Sequence, residues 1–260
     1  YQQWGSCQVP PALQPYYTVN GGTSMANPLV AGAAVLARQY FEDGWHANGN
    51  HYTNLYPVAA DAFNPSAALV KATLINGAWD MAPGQYGSGA SQELPPNWDT
   101  GTSLPNNAEG FGRLDLEAAL FPGAGFGRDA ERDSEIHDVS PGLTTGLSDV
   151  YTINVASASD PLIVTLVWSD PYAMLAAGSD LVNDLDLIVT SPVATTYTPN
   201  QVDSTTGAVD RINNVEQVKV SSPTVGSWTV QVDGFNIPGN GETGSTTQPY
   251  ALVVSGVLVP

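Results

Sequence analysis

From about residue 139 to its end, the chain is a succession of short runs in which apolar and polar residues alternate, separated by Gly, Pro, Asn and Ser. Residues 150–155, 162–168, 184–189, 215–220, 228–232 and 250–255 each read as a strand. A period of two sends alternate side chains to opposite faces, which no helix can accommodate. No helical pattern lies between the runs. Six or more short strands joined by turns predict an all-β sandwich or jelly roll.

The first 120 residues have a different texture. Gly21 and Gly22 lead through Thr23 and Ser24 into Val30, Ala33, Ala34, Ala37 and Phe41, apolar residues at helical spacing. They predict a helix that starts at Ser24, carries Pro28 in its opening turn and stops near Gly44. Its Ala and Gly content predicts burial on most sides. Asn64 as cap and Pro65 at the first helical position open a second helix, with Ala68, Leu69, Ala72 and Ile75 on one side and Gly77 past its end. A third, of about two turns, follows Gly110 and Gly112, and a short strand is expected at 16–19. Composition shifts at Pro122-Gly123-Ala124-Gly125, and a charged stretch follows. The expected division is a unit at 1–122, a linker at 123–138 and a β-unit at 139–260.

Chemistry concentrates at Ser24. Two glycines before it permit backbone angles closed to other residues. At a helix start, unpaired N–H groups and the positive end of the helix dipole favour negative charge developing nearby. This suits a nucleophile whose product is an oxyanion, although Gly-Thr-Ser before a helix is also an ordinary N-cap. The longer string Gly22-Thr23-Ser24-Met25-Ala26, followed by Pro28, Val30, Ala31 and Gly32, resembles the serine motif of the subtilisin-like serine proteases. The segment after Gly110 is similar to the one that closes their catalytic domains. The resemblance implies an α/β fold with helices on a parallel sheet, present here in part. It also implies that Ser24 is the nucleophile, that Gly22 and Thr23 form the substrate and oxyanion loop, and that the enzyme is a secreted peptidase acting on proteins or peptides. That family orders its triad Asp, His, Ser, with an oxyanion Asn between His and Ser. The 23 residues before Ser24 contain neither Asp nor His. The expectation is therefore a fragment that is inactive alone and is completed by an upstream half of the same protease. His46, His51 and His137 follow the serine, in the wrong order, and read as surface or structural residues. The competing reading is a non-catalytic fragment whose sandwich stabilises or holds substrate.

A net charge of −18, from 7 Lys+Arg against 25 Asp+Glu, argues against nucleic acid or an anionic membrane as partner. The single cysteine, Cys7, excludes a disulfide within the chain. An α/β-hydrolase is excluded because Ala26 stands where the nucleophile elbow needs Gly.

In the β-unit, alternation places Asp184 and Asp186 on one face and Leu185 and Leu187 on the other. Adjacent carboxylates repel unless water or a cation intervenes, so the pair is either a solvated acidic face or a calcium site to which Asp170 and Asn183 add oxygens. A glycosidase also needs paired carboxylates, but across a sugar cleft, which a sandwich strand does not provide. Together with Trp168-Ser169-Asp170-Pro171, Asn213-Asn214-Val215-Glu216 and Gln248-Pro249-Tyr250-Ala251-Leu252, this segment resembles the C-terminal sandwich of some secreted subtilases and the P domain of proprotein convertases. That resemblance implies structural calcium.

Overall fold

The continuous apolar run of residues 162–168 shows how the molecule is layered, because all seven side chains are buried and the strand must therefore be covered on both faces. In the computed structural model, which describes residues 22–50, 54, 56–81, 105, 109–121, 132–201, 209–239 and 244–259, one cover is a second sheet and the other is a layer of helices. The helices are α1 (Thr23–Glu42), α2 (Ala67–Asn76) and α3 (Leu116–Leu120). The strands are β1 (Asp133–Leu143), β2 (Ser148–Val155), β3 (Leu162–Trp168), β4 (Asp184–Thr190), β5 (Thr196–Tyr197), β6 (Val215–Val220), β7 (Gly226–Asn236), β8 (Gln248–Gly256) and β9 (Leu258–Val259). The expected strand at 16–19, Cys7 and His51 lie outside the described residues.

A four-stranded sheet in the order β1-β8-β3-β6 faces a five-stranded sheet in the order β5-β4-β7-β2-β9. Val164, Leu166, Trp168, Leu252 and Val254 of the first interdigitate with Ile153, Leu185, Leu187, Val230 and Val232 of the second. The two buried indoles keep their N–H groups satisfied: Trp168 donates to the Asn183 carbonyl and Trp228 to that of Thr224, both at 2.8 Å.

Every strand pair among the described residues is antiparallel. The parallel sheet expected of the N-terminal part is not among them, and that part is represented by the helical layer. Nor do the two parts stand apart. Ile136, Val167, Val215, Ala251 and Val253, on the outer face of the four-stranded sheet, share one apolar cluster with Ala37, Phe41, Leu69, Ala72 and Leu120. The stretch 133–138, expected as linker, is the start of β1. Its acidic residues concealed an edge strand that contributes Ile136 to the apolar cluster under the helices and Asp138 to the Ser66 N–H at the start of α2.

Two polar devices fasten the layers. Asn76, at the end of α2 and 4% exposed, donates from Nδ2 toward the carbonyls of Ile163 (3.2 Å) and Val253 (3.1 Å) and the Thr165 hydroxyl (3.1 Å), and its Oδ1 accepts from Ser255 Oγ at 2.6 Å. The open edge of β1 is covered by a loop after α1: Gly49 N–H donates to the Ile136 carbonyl (2.9 Å) and Ile136 N–H to that of Asn50 (3.1 Å). Such capping removes the unpaired ladder groups that make an edge adhesive.

The helix ends follow local chemistry. At Gly44 (φ 81°) a Cβ would meet the Val58 carbonyl oxygen at 2.0 Å, so only glycine can end α1 there. The cap of α2 is Ser66, extended, with Oγ accepting from Leu69 N–H at 3.0 Å. Asn64, the expected cap, instead accepts from Arg38 Nη2 at 2.6 Å, because Pro65 and Ser66 precede the first helical turn.

Candidate functional site

Gly22 turns the chain into α1 with φ 139° and ψ 171°, angles that residues with a Cβ rarely adopt. Its carbonyl accepts from the N–H groups of Met25 (3.0 Å) and Ala26 (3.1 Å), and no side chain caps the helix. Thr23 and Ser24 are the first two helical residues, both exposed. Ser24 thus stands among N–H groups without intrahelical partners, at the positive end of a 20-residue helix. Pro28 lies further into α1 than an opening turn. Its missing N–H leaves the Ser24 carbonyl without the partner four residues on that a helix normally supplies.

The described histidines are engaged elsewhere. His46 is 1% exposed, with Nδ1 2.9 Å from the Ala47 carbonyl and Nε2 3.0 Å from that of Ser134. His137 contacts Glu135 at 2.6 Å and packs on Tyr151. Both tie strand β1 to its surroundings, in keeping with a structural reading. α1 is buried along one stripe only, Ala33, Ala37, Tyr40 and Phe41. Leu29, Val30, Val35 and Leu36 are exposed, so the expected burial on most sides is not met among the described residues.

The four residues expected to gather round a cation separate into two groups. Asp170 accepts from the backbone N–H groups of Val182 (2.8 Å) and Asn183 (2.7 Å) and closes the β3–β4 loop. Asn183, 1% exposed, donates to Gln248 Oε1 at 2.8 Å and accepts from Gly239 N–H at 3.0 Å. Asp184 and Asp186 do share a face, as alternation requires, and Arg211 binds both. Its Nη1 reaches Asp184 (3.2 Å) and Asp186, Nη2 reaches Asp186 (3.0 Å), and the guanidinium lies 3.5 Å from the Phe235 ring centroid.

Two further acids join this pair. Asp210 accepts from the side chains of Asn200 and Asn213 and from two backbone N–H groups. Glu216 is fully buried. Where the two-residue β5 ends and leaves β4 uncovered, Glu216 Oε2 reaches from the opposite sheet to accept Leu187 N–H at 2.6 Å. One oxygen of Asp184 (Oδ1) and one of Glu216 (Oε1) are buried without a partner. Sequence reasoning missed Glu216, although its strand position, on one face with Val218 and Val220, signals an inward carboxylate.

Burial pushes the Asp184 carboxyl up to about 6. Arg211 opposes the shift, and Asp186 and Asp210 reinforce it. Burial likewise drives Glu216 well above the carboxylate range, opposed by the Leu187 N–H and helped by Asp186, Asp210 and Asp184. In Asp210 the hydrogen bonds outweigh burial and lower the value. Asp233 stands opposite Asp186 across the β4–β7 pair. A carboxyl whose value is raised on folding stabilises most when protonated, and that contribution is lost as pH rises through the folded-state value. In buffers free of divalent cations, the melting temperature is expected to be several degrees higher at pH 5 than at pH 7.5. A flat profile over that window would mean that these acids are solvated.

No helix among the described residues is long and apolar enough to cross a membrane. Residues 4–112 match the model of the Subtilase family. The chain is 31% identical over 223 residues to "Serine protease/ABC transporter B family protein tagA" of Dictyostelium discoideum, covering 83% of this chain and 11% of that protein. To the tagD protein of the same organism it is 27% identical over 251 residues, covering 84% and 13%, and to the tagB protein 25% over 249 residues, covering 84% and 12%. The chain therefore spans only a small part of these relatives. The family match takes in Gly22, Thr23, Ser24, the whole of α1 and α2, and the turn at Gly110 and Gly112, so that residues 4–112 are similar to the subtilase family.

Proposed function

We propose that this chain is the serine-bearing part of a subtilisin-type endopeptidase. Ser24 Oγ attacks the peptide carbonyl to give an acyl-enzyme, while the Ser24 backbone N–H helps hold the oxyanion and Gly22 and Thr23 shape the loop under the substrate. The observation that carries this reading is an exposed serine in the first helical turn after Gly22, inside a subtilase match. In the Asp, His, Ser order of that family the general base and its orienting Asp come before the serine, and the described His46 and His137 are committed to β1. A triad lacking a member loses on the order of 10⁴–10⁶ in kcat, so residues 1–260 alone are inactive. Secretion accords with a subtilase. The strand order β1-β8-β3-β6 against β5-β4-β7-β2 supports a jelly-roll reading of the sandwich, which stabilises the helical layer.

A fluorophosphonate serine-hydrolase probe tests this. Labelling is expected only when the chain is combined with the residues that precede it in its parent, and is expected to vanish in Ser24→Ala. Absence of labelling in a folded, reassembled sample would favour the non-catalytic reading, in which the sandwich acts as a holding module.

A further inference from the structure

We infer that the groove between the end of α1 and α3 is a binding site for a small organic cation, an alkylated ammonium held by an aromatic box and two carboxylates. The inference is independent of the peptidase reading. The groove encloses about 610 Å³, within the range of small-ligand sites. Three aromatic side chains, Tyr40, Trp45 and Phe121, line it, and their placement has a local cause. Gly44, at positive φ, turns the chain at the end of α1. Trp45 N–H then donates to the Tyr40 carbonyl at 3.1 Å, and the two rings lie nearly parallel with centroids 6.4 Å apart. Phe121 N–H donates to the Glu117 carbonyl at 2.9 Å. Its ring stands at 84° to Tyr40 and 88° to Trp45, with centroids 5.1 and 5.3 Å away.

The charged side chains in the lining are Asp43 and Glu117, both acids. Glu117 Oε1 is buried without a hydrogen-bond partner, and such an oxygen is costly unless a donor or a cation meets it. Asp43 caps α1, whose last turn holds no basic residue, so the negative end of the helix dipole has no compensating cation there. Each of these features favours positive charge. The rest of the wall, with Leu36, Leu116 and Leu120 beside the rings, decides which cation. A metal ion would have to shed tightly held water against carbon, whereas an alkylated ammonium is weakly hydrated and is attracted by aromatic rings. An anion is repelled by both carboxylates, and a neutral hydrocarbon leaves Glu117 Oε1 as it stands.

Choline chloride and its uncharged isostere 3,3-dimethylbutan-1-ol, each titrated into the 260-residue chain in about 0.15 M sodium chloride to screen diffuse attraction, test the inference. The indole N–H signal of Trp45, assigned by its absence from Trp45→Leu, is followed by NMR. Choline is expected to shift it saturably and to bind about tenfold or more tightly than the alcohol. Trp45→Leu is expected to remove that preference. Because loss of a partly buried indole can also disturb the fold, Glu117→Gln, which keeps the side-chain shape, is the decisive variant. It is expected to weaken choline at least several-fold and to leave the alcohol unchanged. Equal affinity for the two ligands in the unsubstituted chain overturns the cation site and leaves an apolar groove. Binding of neither refutes it as well. Choline binding undiminished in a folded Glu117→Gln chain refutes it equally and assigns the attraction to the net charge of −18.

Discussion

Residues 132–260 expressed without the helical layer are expected to associate or to bind an apolar dye rather than to persist as an independent monomer. The sandwich has its own inner core, so its strands have reason to pair. Its four-stranded sheet, however, keeps Ile136, Val167, Val215, Ala251 and Val253 dry only because α1, α2 and α3 lie on them. Burying an aliphatic side chain contributes about 1.5–3 kcal/mol, so exposing this face forfeits roughly 5–10 kcal/mol, comparable to the whole stability of a typical domain. The excision also bares the outer edge of β1, which residues 48–50 now cover. Size-exclusion chromatography with light scattering and dye binding, against the 260-residue chain, decides the matter. A monomeric excised sandwich that melts at the temperature of the longer chain would show that the shared cluster contributes nothing.

The second large effect is expected at Asn76. Truncation to Ala leaves Ser255 Oγ without its acceptor and removes a donor directed at two carbonyls and a hydroxyl. Each buried group left unsatisfied costs about 1–3 kcal/mol, so Asn76→Ala is expected to destabilise by about 2–4 kcal/mol. Asn76→Asp keeps the shape and the acceptor yet is expected to be worse. It turns the donor into an oxygen aimed at the carbonyls of Ile163 and Val253, and the buried acid must either hold a proton or carry an unpaired charge. Urea denaturation at pH 7.5 and pH 5 gives both numbers, with the Asp variant recovering in part at the lower pH. If Asp proves milder than Ala, the contacts of Asn76 are incidental to stability.

How far these features could be read from sequence depended on whether their cause was local. The six alternating runs all became strands, because pleat and burial act within a few residues. The helix after Ser24 was legible for the same reason. β1 was not, since its burial comes from helices about 60 to 110 residues earlier in the chain and its own residues look like a charged linker. β5 and β9, two residues each, carry no periodicity at all. The common face of Asp184 and Asp186 followed from strand geometry, but their partner, Arg211, arrives from a loop 25 residues later. β3 read only as one strand among six, and its burial at all seven positions shows cover on both faces. What supplied the second cover could be learned only from tertiary packing.

The knot at Asn76 also orders events in time. Its partners on β8, Val253 and Ser255, lie within the last strands of the described chain, and β8 is inserted between β1 and β3 rather than added at a margin. During synthesis α2 is made well before its seat exists, and contacts of such long sequence separation form slowly. The serine-bearing helix, resting on α2, therefore reaches its final pose only after β8 has left the ribosome and threaded into the sheet. Synthesis of β8 and placement of the serine are thereby coupled, so that a polypeptide interrupted before residue 248 would carry Ser24 on an unanchored scaffold.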